Sequence, residues 1–277
     1  MSIRRKRWVG LAVSLAVVAI VAAGCTSSDK SSSASAGGTS GESHLDKILK
    51  SKKLRVGMTL KFKPQMYRDA SNQPAGYDVE LVKQMAKDLG VELVIDDQDF
   101  EGLIPGLLAD KFDLISVGLV NTPERAKTMW FSKPYVPYKQ VVVVNDRAGV
   151  SSIDQLNAKG RKLTALVGST AAEQAKRTFP DAQLQELEQQ PALLEVASGR
   201  ADGVVLEEYL ARQFVKENPG KVHVLNPNQP FSLEYGCYAL PKGDLVWQQW
   251  VNNWVDYWQA KGLLDALYKQ IVDTGST

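Results

Sequence analysis

From Leu54 to Gly118 the chain switches repeatedly between two hydrophobic periods, and this alternation limits the folds open to it. LRVGM (54–58), ELVID (92–96) and DLISVG (113–118) are short apolar runs with the length and composition of buried strands. Between the first two, GYDVELVKQMAKDLG (76–90) sets Val79, Val82, Met85, Ala86 and Leu89 at helical spacing and ends at Gly90, a natural helix stop. EGLIPGLLADK (101–111) reads as a shorter helix with Pro105 near its start. A strand–helix–strand–helix–strand order needs crossover connections and therefore a parallel sheet.

The second half repeats the style with different residues. KLTALV (162–167), DGVVL (202–206) and KVHVL (221–225) read as strands, and residues 171–179, 190–200 and 207–218 as helices. Helices over 244–259 and 261–271 close the chain. Two α/β units without a sequence repeat imply two lobes. The apolar run Val141–Val144 and the segment NPNQPFSLE (226–234) read as two crossings between them, which would return the last helices to the first lobe. The expected division is lobe 1 over 44–143 plus 234–277 and lobe 2 over 144–233.

The amino terminus points outside the cytoplasm. Arg4, Arg5, Lys6 and Arg7 precede the apolar run WVGLAVSLAVVAIVAAG, which is short for a membrane span, so residues 1–24 read as a secretory signal. Ala22, Ala23, Gly24 and Cys25 resemble a bacterial lipobox, with Ala22 in place of the usual aliphatic residue. An uncleaved anchor helix is the alternative. Residues 25–43 are mostly Ser, Gly and Ala and read as a flexible tether behind a lipidated, palmitate-bearing Cys25.

The signal carries four of the 33 Lys+Arg and none of the 31 Asp+Glu, leaving 29 basic against 31 acidic residues, a net of −2. That balance argues against a nucleic-acid partner. With Cys25 used for the anchor, only Cys237 remains, so neither an intramolecular disulfide nor a cysteine metal cluster is expected in the mature chain.

Enzyme constellations are hard to find. The two histidines, His44 at the end of the tether and His223 in a strand, neighbour no nucleophile motif, and no zinc spacing or phosphate loop occurs. No cofactor or metal is expected. Three other features suit a ligand. In NTPERAK (121–127), Thr122 and Pro123 start a helix and put Arg125 in its first turn, where the helix dipole does not favour a cation. Arg125 could clamp a carboxylate, or it could be a structural ion pair. In GSTAAEQAK (168–176), Ser169 and Thr170 open a helix and could bind an anion or simply cap it. In DGVVLEEYLA (202–211), Glu207 and Glu208 end a strand where α/β sheets bind ligands, or serve as first-turn acids. Together these groups complement a zwitterion.

GYDVEL, GLIPGLL, KFDL, TPERAK and FSKPY, followed by LVGSTAAEQAK, SGRADGVVLEE and EYGCYALPKGD, resemble the amino-acid-type solute-binding proteins of ABC importers, extracellular solute-binding protein family 3. The resemblance covers residues 46–272 and implies a two-lobed, type II periplasmic-binding-protein fold. It implies that Phe62 and Phe100 wall the ligand, and that Arg125 pairs with the α-carboxylate, helped by Ser169 and Thr170. It further implies that Gly118 and Val120 touch the α-amino group through their backbone, and that Glu207 stands where relatives bind the ammonium with Asp. The partners it implies are a small amino-acid-like ligand and an importer permease, met by a monomer tethered in the periplasm or at the cell surface.

Several positions depart from the family pattern: Val120 replaces a Thr or Ser, Gln65 an aromatic, and Glu207 an Asp. Thr59 and Leu166 replace groups that read a charged side chain, so the pocket is not expected to suit a strongly basic ligand; Lys61 and Lys63 could favour an acidic one. An alternative is a cyclohexadienyl-dehydratase-like enzyme with Glu207 as general acid on a prephenate-like substrate. Those enzymes carry a GTNE-like turn where this chain has GSTAAE.

Overall fold

The structure, a computed structural model, describes residues 41–225 and 227–273. The expected signal, Cys25 and the tether up to residue 40 lie outside the described residues. Ser43 was expected in the tether, but it caps helix α1 (His44–Ser51) by accepting from Asp46 N–H. His44 is the first residue of that helix, and its Nδ1 lies 2.8 Å from Asp244 Oδ2. A long-range contact fixes this helix, which is why its polar local sequence did not announce it.

Strand β1 (Lys53–Met58) leads to a small antiparallel sheet, β2 (Lys61–Phe62), β3 (Met66–Arg68) and β4 (Pro74–Ala75). Helix α2 (Tyr77–Leu89) buries Val79, Val82, Met85, Ala86 and Leu89 as the periodicity required, and Gly90 ends it with φ 67°. Strand β5 (Glu92–Asp97) follows, then α3 (Phe100–Leu108). Pro105 lies past the middle of α3 rather than near its start. A nine-residue helix has few internal hydrogen bonds for the ring to remove. Next come β6 (Leu114–Val120), the single turn α4 (Pro123–Ala126) and β7 (Trp130–Phe131).

Strand β8 (Val136–Asn145) enters the second half, which holds β9 (Lys162–Leu166), α5 (Thr170–Thr178), β10 (Gln183–Leu187) and α6 (Gln189–Ala197). It continues with β11 (Gly203–Glu207), α7 (Glu208–Glu217) and β12 (Val222–Leu225). Strand β13 (Ser232–Leu240) runs back to α8 (Leu245–Ala260) and α9 (Leu263–Leu267).

One curled sheet joins the halves in the order β10-β9-β11-β8-β13-β6-β1-β5. Its two ends are parallel: β1 with β5 and β6, and β9 with β10 and β11. Its centre is antiparallel, because β8 and β13 run between the halves side by side, with Val136–Gln140 against Ser232–Gly236. The crossing therefore lies just upstream of Val141–Val144. That run is already inside the second half between β11 and β12, and a strand covered on both faces is apolar throughout. The last helices do return to the first half: Trp247 Nε1 donates to the Asp113 carbonyl at 2.9 Å, and Trp254 Nε1 to Asp88 at 2.8 Å.

Candidate functional site

The carboxyl ends of β1, β5, β6, β9 and β11 converge on one cleft, the place where α/β sheets bind ligands. Counted to its mouth it encloses ≈ 400 Å³, and all eight residues anticipated for a ligand line it: Phe62, Phe100, Gly118, Val120, Arg125, Ser169, Thr170 and Glu207. The first five come from one half and the last three from the other.

Phe62 and Phe100 form one wall, their ring centroids 6.3 Å apart. Tyr138 and Tyr209 form a second aromatic pair at 5.8 Å. Sequence reasoning missed these tyrosines, although Tyr138 closes the FSKPYVPY segment. Gly118 passes so close to Tyr138 that a Cβ there would sit 1.7 Å from the phenol oxygen, and its φ is +61°. Only glycine fits both demands.

Arg125 is held by its own turn. Thr122 Oγ1 accepts from Arg125 N–H at 3.3 Å, and Pro123 opens the turn. Arg125 is 9% exposed. Nη1 donates to the Val120 carbonyl and Nη2 to the Gly168 carbonyl, each at 2.9 Å. Among the described residues no carboxylate forms an ion pair with it. Burial lowers its pKa, while Glu173, Glu207 and Glu234 act in the opposite sense. An arginine nonetheless stays charged, so this is a buried cation without a counter-ion.

The other half presents the start of α5. The Ser169 hydroxyl is used structurally: it donates to the Leu166 carbonyl at 2.7 Å and accepts from Ala172 N–H at 3.1 Å. Thr170 Oγ1 accepts from Gln140 Nε2 at 2.9 Å, which leaves its own proton free to donate. The Val120 carbonyl is also engaged, by Arg125 and by Thr122 N–H at 3.0 Å, so in this state Val120 holds the arginine.

Glu207 and Glu208 separate cleanly. Glu207 ends β11 in register with Gln140 and lines the cleft. Burial pushes its carboxyl up, its own backbone N–H and Arg125 pull it down, and Glu234 adds to the rise. Glu208 faces away, near Lys139 at 3.7 Å and Arg212 at 3.6 Å. Lys61 and Lys63 do not line the cleft: Lys61 pairs with Asp99, and Lys63 lies over the Tyr67 ring at 5.2 Å.

Beneath the cleft lies a buried carboxylate that no pattern in the sequence announced. Asp78 is 0% exposed. It accepts from Tyr135 Oη at 2.6 Å and from Gln65 Nε2 at 2.9 Å. Tyr135 Oη in turn accepts from Gly118 N–H at 2.7 Å, and Gln65 also donates to Tyr138 Oη. Asp78 thus anchors two residues of the cleft floor. Burial pushes its carboxyl up to about 7 against the pull of these hydrogen bonds.

Residues 54–274 match the family described as bacterial extracellular solute-binding proteins, family 3. The chain belongs to this family. Cyclohexadienyl dehydratase of Pseudomonas aeruginosa is 29% identical over 228 residues, covering 80% of this chain and 84% of that protein. The crystal structure of the ancestral amino acid-binding protein AncCDT-1, a precursor of cyclohexadienyl dehydratase, superposes with TM-score 0.77 at 34% identity, over 83% of this chain and all of that one (100%). A mutant of ArgBP from T. maritima superposes with TM-score 0.75 at 32% identity, over 82% of this chain and 97% of that one. The family member described here therefore has the two-lobed α/β architecture of periplasmic binding proteins. Among its described residues no helix is long and apolar enough to cross a membrane.

Proposed function

We propose that the protein captures a free amino acid between its two lobes and delivers it to an ABC importer, acting as a monomer tethered through lipidated Cys25. The observation that carries this reading is Arg125, a buried cation without a counter-ion that touches both sides of the cleft. An α-carboxylate is the anion that suits it, with the Thr170 hydroxyl as a further donor. Glu207, the one acid lining the cleft among the described residues, suits the α-ammonium. A ligand bridging both halves completes its contacts only when they close, so binding favours the closed state. Lobe 1 is taken as 44–143 plus 234–277 and lobe 2 as 144–233, with the paired stretch of β8 and β13 as hinge. Calorimetry of the purified chain against the common amino acids tests the reading: saturable binding of at least one supports it, and no heat with any of them rejects it. Labelling with palmitate tests the anchor, since Cys25→Ser would abolish incorporation.

A second reading has one observation in its favour. Burial raises the Glu207 carboxyl in the cleft of a chain that is 29% identical to a cyclohexadienyl dehydratase, which suits a general acid. The turn after β9, GSTAAE, lacks the Asn of the GTNE-like turn. Product formation from a prephenate-like substrate, lost in Glu207→Gln, would establish this reading instead.

A further inference from the structure

Tyr138 and Tyr209 belong to two cavities at once. Both line the cleft that holds Arg125 and Glu207, and both also line a second cavity of ≈ 580 Å³. Their ring centroids are 5.8 Å apart and both residues are buried. The two rings therefore form a partition, with the cleft before them and the second cavity behind. Tyr138 is held in this place from below. Its phenol oxygen accepts from Gln65 Nε2, and the missing side chain of Gly118 leaves room for the ring.

The partition stands at the Glu207 end of the cleft. Tyr209 follows Glu207 by two residues, across the junction of β11 and α7. Tyr138 lies two residues before Gln140, the partner of Glu207 in the β8–β11 register. The Glu207 charge helps, after burial, to hold both phenols protonated. An amino acid laid between Arg125 and Glu207 thus turns its ammonium toward the two rings. Anything attached to that nitrogen would have to occupy the space the rings fill. The second cavity itself is not hostile to a charged group. Glu208 and Asp273 line it, each in an ion pair with Arg212 at 3.6 Å, too long for a direct hydrogen bond. Two carboxylates there can take an ammonium, so the obstacle to a longer ligand is the tyrosine wall.

We propose that Tyr138 and Tyr209 are specificity-determining residues that close the cleft at its ammonium end, admitting free α-amino acids and excluding peptides and N-acyl amino acids. The inference rests on the amino-acid reading above. The rings act by occupying space: a close-packed wall cannot yield to an added acyl group without strain. Removing one ring joins the cleft to the second cavity and gives the amino-terminal residue of a dipeptide a place to go.

Calorimetry on the full chain tests it, with the common amino acids and with the glycyl and N-acetyl derivatives of each one that binds. Wild type is expected to bind the derivatives on the order of a hundredfold or more weaker than the parent amino acid. Part of that loss comes from exchanging an ammonium for an amide, and a change in the wall leaves that part as it is. The deciding quantity is therefore the ratio of glycyl-derivative affinity to parent affinity. Tyr209→Ala is expected to raise this ratio about tenfold or more, whereas Tyr209→Phe, which keeps the ring, leaves it unchanged. Tyr209→Leu keeps an apolar side chain and a good helix former, and repeats the test should the alanine variant not fold. Three results overturn the proposal and leave the amino-acid reading standing. They are a glycyl derivative that binds wild type within about tenfold of its parent, no rise in the ratio in either Tyr209→Ala or Tyr209→Leu, and an equal rise in Tyr209→Phe. Binding of no amino acid by wild type overturns that reading and the proposal together.

Discussion

Arg125 Nη2 donates to the carbonyl of Gly168 at 2.9 Å, so a side chain rooted in the first lobe closes a hydrogen bond with the second. Its other terminal nitrogen reaches the Val120 carbonyl of its own lobe. Arg125→Ala therefore removes a link between lobes and, with it, the group proposed to clamp the ligand carboxylate. Amino-acid affinity is expected to fall on the order of a hundredfold or more by calorimetry. Arg125→Lys, a single point donor, recovers only part of it. Unchanged affinity in the alanine variant would place the ligand elsewhere.

Gly118 and Tyr138 fit together because Gly118 has no side chain. A Cβ would lie 1.7 Å from the phenol oxygen, on a backbone with φ +61°. Gly118→Ala is expected to lower the melting temperature by about 5–15 °C, through overpacking plus backbone strain. Tyr138→Ala removes the clash but leaves the strain and opens a cavity of its own, so the double variant is expected to lose less than the sum of the two single losses. Thermal denaturation followed by circular dichroism checks both. A melting temperature unchanged in Gly118→Ala would contradict this packing.

The parallel βα units were legible because Val79, Val82, Met85, Ala86 and Leu89 keep helical period between runs of strand composition. Arg125, Ser169, Thr170 and Glu207 could be singled out in the sequence because each stands at the carboxyl end of a parallel strand or in the turn beyond it, whereas Phe62, Phe100, Gly118 and Val120 were named only through the family resemblance. What stayed hidden depends on distant partners. Helix α1 depends on His44 meeting Asp244, 200 residues away. The split between Glu207 and Glu208 depends on the register of β11 against β8. The role of Asp78 depends on Tyr135 and Gln65 reaching it from elsewhere in the chain, and nothing local signals its full burial.

Asp78 makes stability depend on pH in a defined direction. Its folded-state carboxyl is held at about 7, above its unfolded value, so protonation favours the fold. The contribution is complete below an unfolded pKa of about 3.9 and is lost as pH rises through about 7. Asp78→Asn keeps an acceptor for Tyr135 and never ionises. Its stability relative to wild type is therefore expected to improve between about pH 5 and about pH 8, by on the order of a few kcal/mol. Denaturant melts of both proteins at the two pH values check this, and a constant difference would show that Asp78 does not titrate in that range.

Glu207 and Glu208 allow a matched pair of substitutions. Glu207 lines the cleft, whereas Glu208 faces Lys139 and Arg212 outside it. Glu207→Gln keeps the size and removes the charge that would meet the ligand ammonium. Amino-acid affinity is expected to fall about tenfold to a hundredfold, since a hydrogen bond to a charged group contributes roughly 1.5–3 kcal/mol. For the matching 2-hydroxy acid, which has no ammonium, the fall would be smaller. Glu208→Gln would change either affinity by less than about twofold, as expected for exposed ion pairs. Titration of both ligands into both variants separates the cases. Equal losses for the amino acid and its hydroxy analogue would show that Glu207 meets something other than the ammonium, and would bring its role as a proton donor forward.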